Sequence, residues 1–174
     1  MKMKVFLGST SSDLKDIRAE LMQLIPKLGF ELIYHEDPKF KKKPDKHAHD
    51  ICLDNVIDCD IYVLIIAERF GEEYNGSDSN LKGKSVTWAE VEVALRGNKI
   101  LCTFVRRDVW REKATYSWNK EKGLEIEPYY AKDKRVFEFI EYIVRQSKNN
   151  WIDQFEDISQ LKEQIIYRLP QLLE

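Results

Sequence analysis

The side chains best suited to chemistry are Glu90, Ser9, Thr10, Arg69 and Trp88, and Glu90 sets the problem. It lies in Ser85-Val86-Thr87-Trp88-Ala89-Glu90-Val91-Glu92-Val93-Ala94-Leu95-Arg96-Gly97. On a helix turning by about 100° per residue, Ala89, Glu90, Val93 and Ala94 fall on the side of Val86. A carboxylate inside a small, apolar stripe is costly unless it is paired, capped or used. Glu92 points elsewhere and stands four residues before Arg96, an ordinary surface ion-pair spacing. A lone carboxylate is able to break an N-glycosidic bond with a good leaving group, by attacking the sugar C1 or by stabilising an oxocarbenium-like transition state. The structural rival is a capping box, Thr87 to Glu90, in which the glutamate reaches back to the Thr87 amide.

Other chemistries lack their residues. The chain has no G-x-x-x-x-G-K-[ST], no G-x-G-x-x-G and no G-x-S-x-G, which excludes the usual P-loop, dinucleotide-binding and nucleophile-elbow signatures. His47 and His49 are two apart and diverge on a helix, so they do not make a metal site. Cys52, Cys59 and Cys102 are widely spaced among apolar neighbours, which suggests reduced thiols in a cytoplasmic protein. A net charge of −2 gives no global reason to expect a nucleic-acid partner. The N-terminal apolar run Val5-Phe6-Leu7 is too short for a signal peptide or membrane span.

The elements that must position these residues alternate. Lys4 to Gly8 reads as a buried strand, and Ser9-Thr10-Ser11-Ser12-Asp13 as an N-cap region or a ligand loop. Leu14, Ile17, Leu21, Leu24 and Leu28 recur at helical spacing before Gly29, and Phe30 to Tyr34 is a second strand. The lysine-rich stretch His35 to His49 reads as a solvated loop, with phosphate binding as the alternative. A helix follows with Ile51, Cys52, Val56 and Ile57 inward, then Ile61 to Ala67, a strand buried on both faces. Glu68 to Lys84, with three glycines, reads as a mobile loop that carries Arg69 as a ligand contact or a rim salt bridge. The Glu90 helix feeds a strand over Lys99 to Val105, ending at the solvated Arg106 and Arg107. Residues 106–132, with Trp110, Tyr116, Trp118, Tyr129 and Tyr130, show no clear period and are expected to be a surface excursion. Residues 133–173 hold two more helices and a short edge strand at Trp151 to Phe155.

That order indicates one domain over 1–174, with a core at 4–105. The expected fold is a flavodoxin-like, doubly wound α/β domain with a mainly parallel five-stranded sheet in order 2-1-3-4-5. Ligands of such sheets bind outside the carboxyl ends of the strands. The first turn of the Glu90 helix starts at that rim, with Ser9, Thr10 and Arg69.

Three stretches carry a resemblance in order and spacing: Lys4-Val5-Phe6-Leu7-Gly8-Ser9-Thr10-Ser11-Ser12-Asp13-Leu14, Asp60 to Gly71, and Ser85 to Ala94 with Gly97-Asn98-Lys99-Ile100. Together they resemble TIR-like domains, in particular the TIR-like module of bacterial defence and signalling ATPases. Nucleoside 2-deoxyribosyltransferases share the same core plan. The resemblance implies an active-site glutamate four residues before a small residue, which is Glu90 before Ala94. It implies nucleotide contacts from Ser9, Thr10 and Arg69, with NAD as substrate and no further cofactor or metal. Nicotinamide leaves NAD as a neutral base and needs no acid. Two positions depart from the pattern. The usual Glu-Arg of the first helix is Ile17-Arg18 here, and the aromatic expected four residues before the glutamate is Trp88, two before it. Trp88 is a candidate for stacking on the substrate or for core packing. The implied function is an NAD glycohydrolase or ADP-ribosyl cyclase in antiviral defence, acting as a homo-oligomer or with separately encoded partners, away from membrane and nucleic acid. A deoxyribosyltransferase-like enzyme and a self-associating scaffold are the alternatives.

Overall fold

In the computed structural model, which describes residues 2–10 and 13–173, five strands form one parallel sheet in the order β2-β1-β3-β4-β5. They are β1 (Lys4–Ser9), β2 (Glu31–Ile33), β3 (Ile61–Ile66), β4 (Ile100–Arg106) and β5 (Ile152–Phe155). Six helices connect or cover them: α1 (Lys15–Lys27), α2 (Ala48–Ile57), α3 (Val86–Arg96), α4 (Arg107–Glu121), α5 (Arg135–Val144) and α6 (Ile158–Arg168). The expected flavodoxin-like α/β order is present, and β5 is the edge strand anticipated near Trp151.

β3 explains why the sheet is covered on both faces. All six of its residues are buried. Because side chains alternate along a strand, Ile61, Val63 and Ile65 enter one core and Tyr62, Leu64 and Ile66 the other. The first core adds Leu21 and Ile25 of α1 and Leu161 and Ile165 of α6. The second adds Cys52 and Val56 of α2, Val91 and Ala94 of α3, and Val136, Phe137, Ile140 and Ile143 of α5. Each fully buried aliphatic side chain contributes roughly 1.5–3 kcal/mol, so the sheet centre, not the loops, fixes where the strand ends stand.

Several local expectations are corrected. Residues 107–121 of the anticipated excursion are the helix α4; only Val109 and Asn119 are buried in it, so it has no apolar stripe to reveal its period. The remaining residues before α5 form an irregular arm. Glu68 to Lys84 is tied down by buried Phe70, Tyr74 and Leu81 and by a bridge between Glu73 and Ser85. The Tyr74 hydroxyl also donates to Asp50. Ile57 of α2 is 56% exposed rather than inward. Helix α1 begins after Leu14 with no side-chain cap, since Thr10 Oγ1 donates instead to Asp13 at 2.8 Å. Ser11 and Ser12 lie outside the described residues. No helix among the described residues is long and apolar enough to cross a membrane.

Candidate active site

Helix α3 begins two residues earlier than a Thr87 cap requires. Ser85 is the N-cap, and its Oγ accepts from the Trp88 amide at 3.2 Å. The Thr87–Glu90 capping box is therefore not formed. Glu90 lies one turn into the helix, 7% exposed, and its Oε2 accepts a hydrogen bond from the Tyr62 hydroxyl at 2.6 Å. Tyr62 comes from the middle of β3 and is fully buried, with its ring stacked on Phe6 at 5.3 Å. Its hydroxyl reaches Glu90 across the backbone of Gly8. A Cβ at Gly8 would lie 1.8 Å from that oxygen, so only glycine leaves the slot open.

Burial pushes the Glu90 carboxyl up to about 7; the Tyr62 hydrogen bond and the positive charge of Arg18 pull in the opposite direction but do not cancel it. The Tyr62 phenol is raised well above its ordinary range by burial and by the Glu90 charge. Near neutrality, then, Glu90 is poised between a carboxylate and a neutral acid, the range in which a side chain moves protons or meets developing positive charge.

Glu90 opens onto a cleft of about 960 Å³ formed at the carboxyl ends of the strands. Gly8, Ser9 and Thr10 enter it from the end of β1, Arg69 to Glu72 from the loop after β3, and His49 and Cys52 from α2. Gly71 has a φ of 92°, and a Cβ there would press on the Thr10 methyl at 3.0 Å. A glycine therefore lets the post-β3 loop close against the post-β1 loop. Of the candidate residues, the structure brings Glu90, Ser9, Thr10 and Arg69 together. Trp88 is not among them. It stacks on Phe139 with centroids 5.1 Å apart and meets the Phe70 ring edge-on at 6.1 Å, so it packs α3 against α5. Arg69 is exposed and makes no ion pair among the described residues, contrary to the rim salt-bridge alternative.

Arg18, named in the sequence only as half of the first-helix Ile17-Arg18 pair, is the site residue to which sequence reasoning gave no role. It is 4% exposed and lines the same cleft. Its Nε and Nη2 grip the Glu36 carboxylate at 3.0 and 2.6 Å, and its Nη1 donates to Ser9 Oγ at 2.8 Å. Burial pushes the half-exposed Glu36 up, but the bonds and charge of Arg18 outweigh it and hold this carboxyl below its usual range. The Ser9 oxygen thus accepts from Arg18, which leaves its O–H to donate into the cleft. The Thr10 hydroxyl donates its hydrogen bond to Asp13, which leaves its oxygen an acceptor toward the cleft. The signal for Arg18 was its spacing: the buried face of α1 runs Leu14, Arg18, Leu21, Ile25, so a guanidinium stands at an apolar helical position.

Glu92 keeps its Arg96 partner at 3.1 Å and gains Lys84, but it is 7% exposed, so this pair belongs to the interior edge of α3 and not to the open surface. His49 Nδ1 accepts from the Asn75 amide at 3.0 Å, which places the proton on Nε2, 3.4 Å from Glu72. Burial, reinforced by the Glu90 charge, raises the Cys52 thiol to about 12, which leaves it a poor nucleophile. No group of three or more His, Cys, Asp or Glu suited to a metal ion occurs among the described residues.

No curated protein matches the sequence. The profile of one family, described as "Domain of unknown function (DUF4062)", matches residues 4–170, nearly the whole chain and every element that builds the cleft. The chain is a member of the DUF4062 family.

Proposed function

We propose that this chain is a TIR-like NAD-cleaving enzyme, an NAD glycohydrolase or ADP-ribosyl cyclase acting in the cytoplasm in bacterial antiviral defence. The observation that carries this reading is Glu90: a buried carboxyl raised to about 7, held on one oxygen by Tyr62 and opening onto a cleft at the strand ends. A neutral acid is of no use to a leaving group that departs as a neutral base. A carboxylate is useful, because positive charge develops on the ribose as the C1–nitrogen bond breaks and its electron pair goes to the pyridinium. The cation of bound NAD favours the ionised form of Glu90, so substrate binding itself would draw off the proton. Ser9 donates to a ribose or phosphate oxygen, and Arg69 neutralises charge on the pyrophosphate. Water at C1 gives hydrolysis; an oxygen or nitrogen of the same nucleotide gives a cycle.

A second reading, a nucleoside 2-deoxyribosyltransferase-like enzyme, draws on the further carboxylates Glu36, Glu72 and Asp133 along the cleft. Two of these are engaged, Glu36 by Arg18 and Asp133 by Arg135, which favours the first. Incubation with NAD and, separately, with deoxynucleosides plus a free base, followed by chromatography of the products, separates the two. The protein is assayed over a concentration series, alone and with Glu90→Gln beside it, because self-association is part of the proposal. Nicotinamide release that disappears in Glu90→Gln supports the reading. Release that persists in the variant removes Glu90 from the chemistry, and base exchange without nicotinamide release replaces NAD cleavage by the transferase.

A further inference from the structure

Two ion pairs neutralise part of the charge around the cleft. Arg18 is paired with Glu36 and Asp133 with Arg135, while the exposed Glu72 has only the imidazole of His49 beside it, at 3.4 Å. Two lining cations, Arg69 and Lys132, make neither an ion pair nor a side-chain hydrogen bond among the described residues. The backbone brings them together. The Lys132 amide donates to the Glu68 carbonyl at 2.7 Å, so both cations stand within one residue of the same hydrogen bond. They come from segments more than sixty positions apart in sequence, the post-β3 loop and the arm before α5.

The placement of Lys132 is built, not incidental. Glu112 on α4 accepts from three successive amides of the arm: Tyr129, Tyr130 at 3.0 Å and Ala131 at 2.8 Å. Consecutive amides turned toward one anion form a nest, and here a side-chain carboxylate fills it. On the other side, Asp133 holds Arg135 at 2.7 Å, and the Arg135 guanidinium lies 4.3 Å from the Phe70 ring centroid. Lys132 sits between these two anchors and at the cleft. Two unpaired cations beside the outward Ser9 hydroxyl suit a ligand carrying adjacent negative groups, and a pyrophosphate is the fitting class.

We propose that Lys132 and Arg69 form a pyrophosphate subsite of the cleft, and that Glu112 is the positioning residue that holds Lys132 in it. Naming the anion as the pyrophosphate of a dinucleotide rests on the reading above; the paired cations do not. The subsite makes the arm over residues 122–134 part of the ligand site, and it gives α4 a purpose that its thin packing does not.

Calorimetric titration with inorganic pyrophosphate, ADP-ribose and nicotinamide riboside tests this on the intact chain. Pyrophosphate and ADP-ribose are expected to bind, more weakly as salt is raised. Lys132→Ala and Arg69→Ala should each weaken both by roughly tenfold, while the affinity for the phosphate-free riboside is unchanged. Glu112→Gln should reproduce the Lys132→Ala pattern without touching the ligand, whereas a merely structural defect would weaken the riboside equally. Wild-type binding of neither pyrophosphate nor ADP-ribose overturns the subsite, as does an unchanged affinity in Lys132→Ala. Lys132-dependent binding in a protein that leaves NAD intact keeps the subsite and discards NAD cleavage. NAD cleavage with unaltered ADP-ribose affinity in Lys132→Ala does the reverse.

Discussion

Replacing Glu90 by Gln should make the protein more stable, and only above a defined pH. The folded carboxyl stands at about 7 against an ordinary value of 4.5. Between those values the native state keeps a proton that the unfolded chain has released, so stability falls as pH rises through this window and levels off above about 7. The difference corresponds to about 3 kcal/mol at full ionisation. Glutamine has the shape of the protonated acid, its amide oxygen still accepts from the Tyr62 hydroxyl, and it does not titrate. The stability gain of Glu90→Gln over wild type should therefore be close to zero near about pH 4 and reach about 3 kcal/mol near about pH 8. For a chain of this size that is a rise in midpoint of roughly 6–12 °C. Thermal and urea unfolding of both proteins across that range measures it, and the comparison cancels the titration of every other group. A gain that is flat with pH would refute the burial argument. A gain that shrinks with rising pH would mean that Glu90 is stabilised by a partner, as an ordinary ion-paired carboxylate is.

Other consequences follow from the same neighbourhood. Tyr62→Phe leaves burial of Glu90 unopposed by its hydrogen bond, so the midpoint of the pH-dependent difference should move above 7, with a loss of about 1–3 kcal/mol in stability measured by urea unfolding. Gly8→Ala places a methyl where the Tyr62 hydroxyl now lies; it should cost at least about 1–3 kcal/mol in unfolding and disturb the Glu90 titration with it. Trp88→Ala removes the ring stacked on Phe139 and should destabilise by about 3–5 kcal/mol in the same assay, the signature of packing. The thiols of Cys52, Cys59 and Cys102 are buried and raised to about 12, about 12 and about 11, mainly by burial, so a disulfide reagent should label them slowly in the native protein and fast in denaturant.

The sheet was readable because parallel strands buried on both faces are written as continuous apolar runs, and Ile61 to Ile66 is such a run. Glu90 was readable because a carboxylate among Ala89, Val93 and Ala94 violates the helical pattern. Helix α4 was not, because only Val109 and Asn119 are buried in it and its core-facing Trp110 and Tyr116 are half-buried among charged residues, too few to mark a period. Arg18 was hidden by reading the α1 stripe through Ile17 and Leu24, one residue off the buried line of Leu14, Arg18, Leu21 and Ile25. Tyr62 was hidden differently. Inside an apolar strand a tyrosine reads as bulk, and its role depends on Gly8 of the neighbouring strand, a register that local sequence does not encode. The same is true of Lys132, whose place is set by Glu112 and Glu68 from two other elements.

The most direct measurement is proton NMR of NAD incubated with the wild-type chain and with Glu90→Gln at concentrations high enough to permit self-association. Free nicotinamide should accumulate with the wild type and fall by at least roughly a hundredfold with the variant, the scale expected when the group meeting transition-state charge is removed. Equal nicotinamide release from both proteins, or none from the wild type at any concentration, would contradict Glu90-dependent cleavage of NAD.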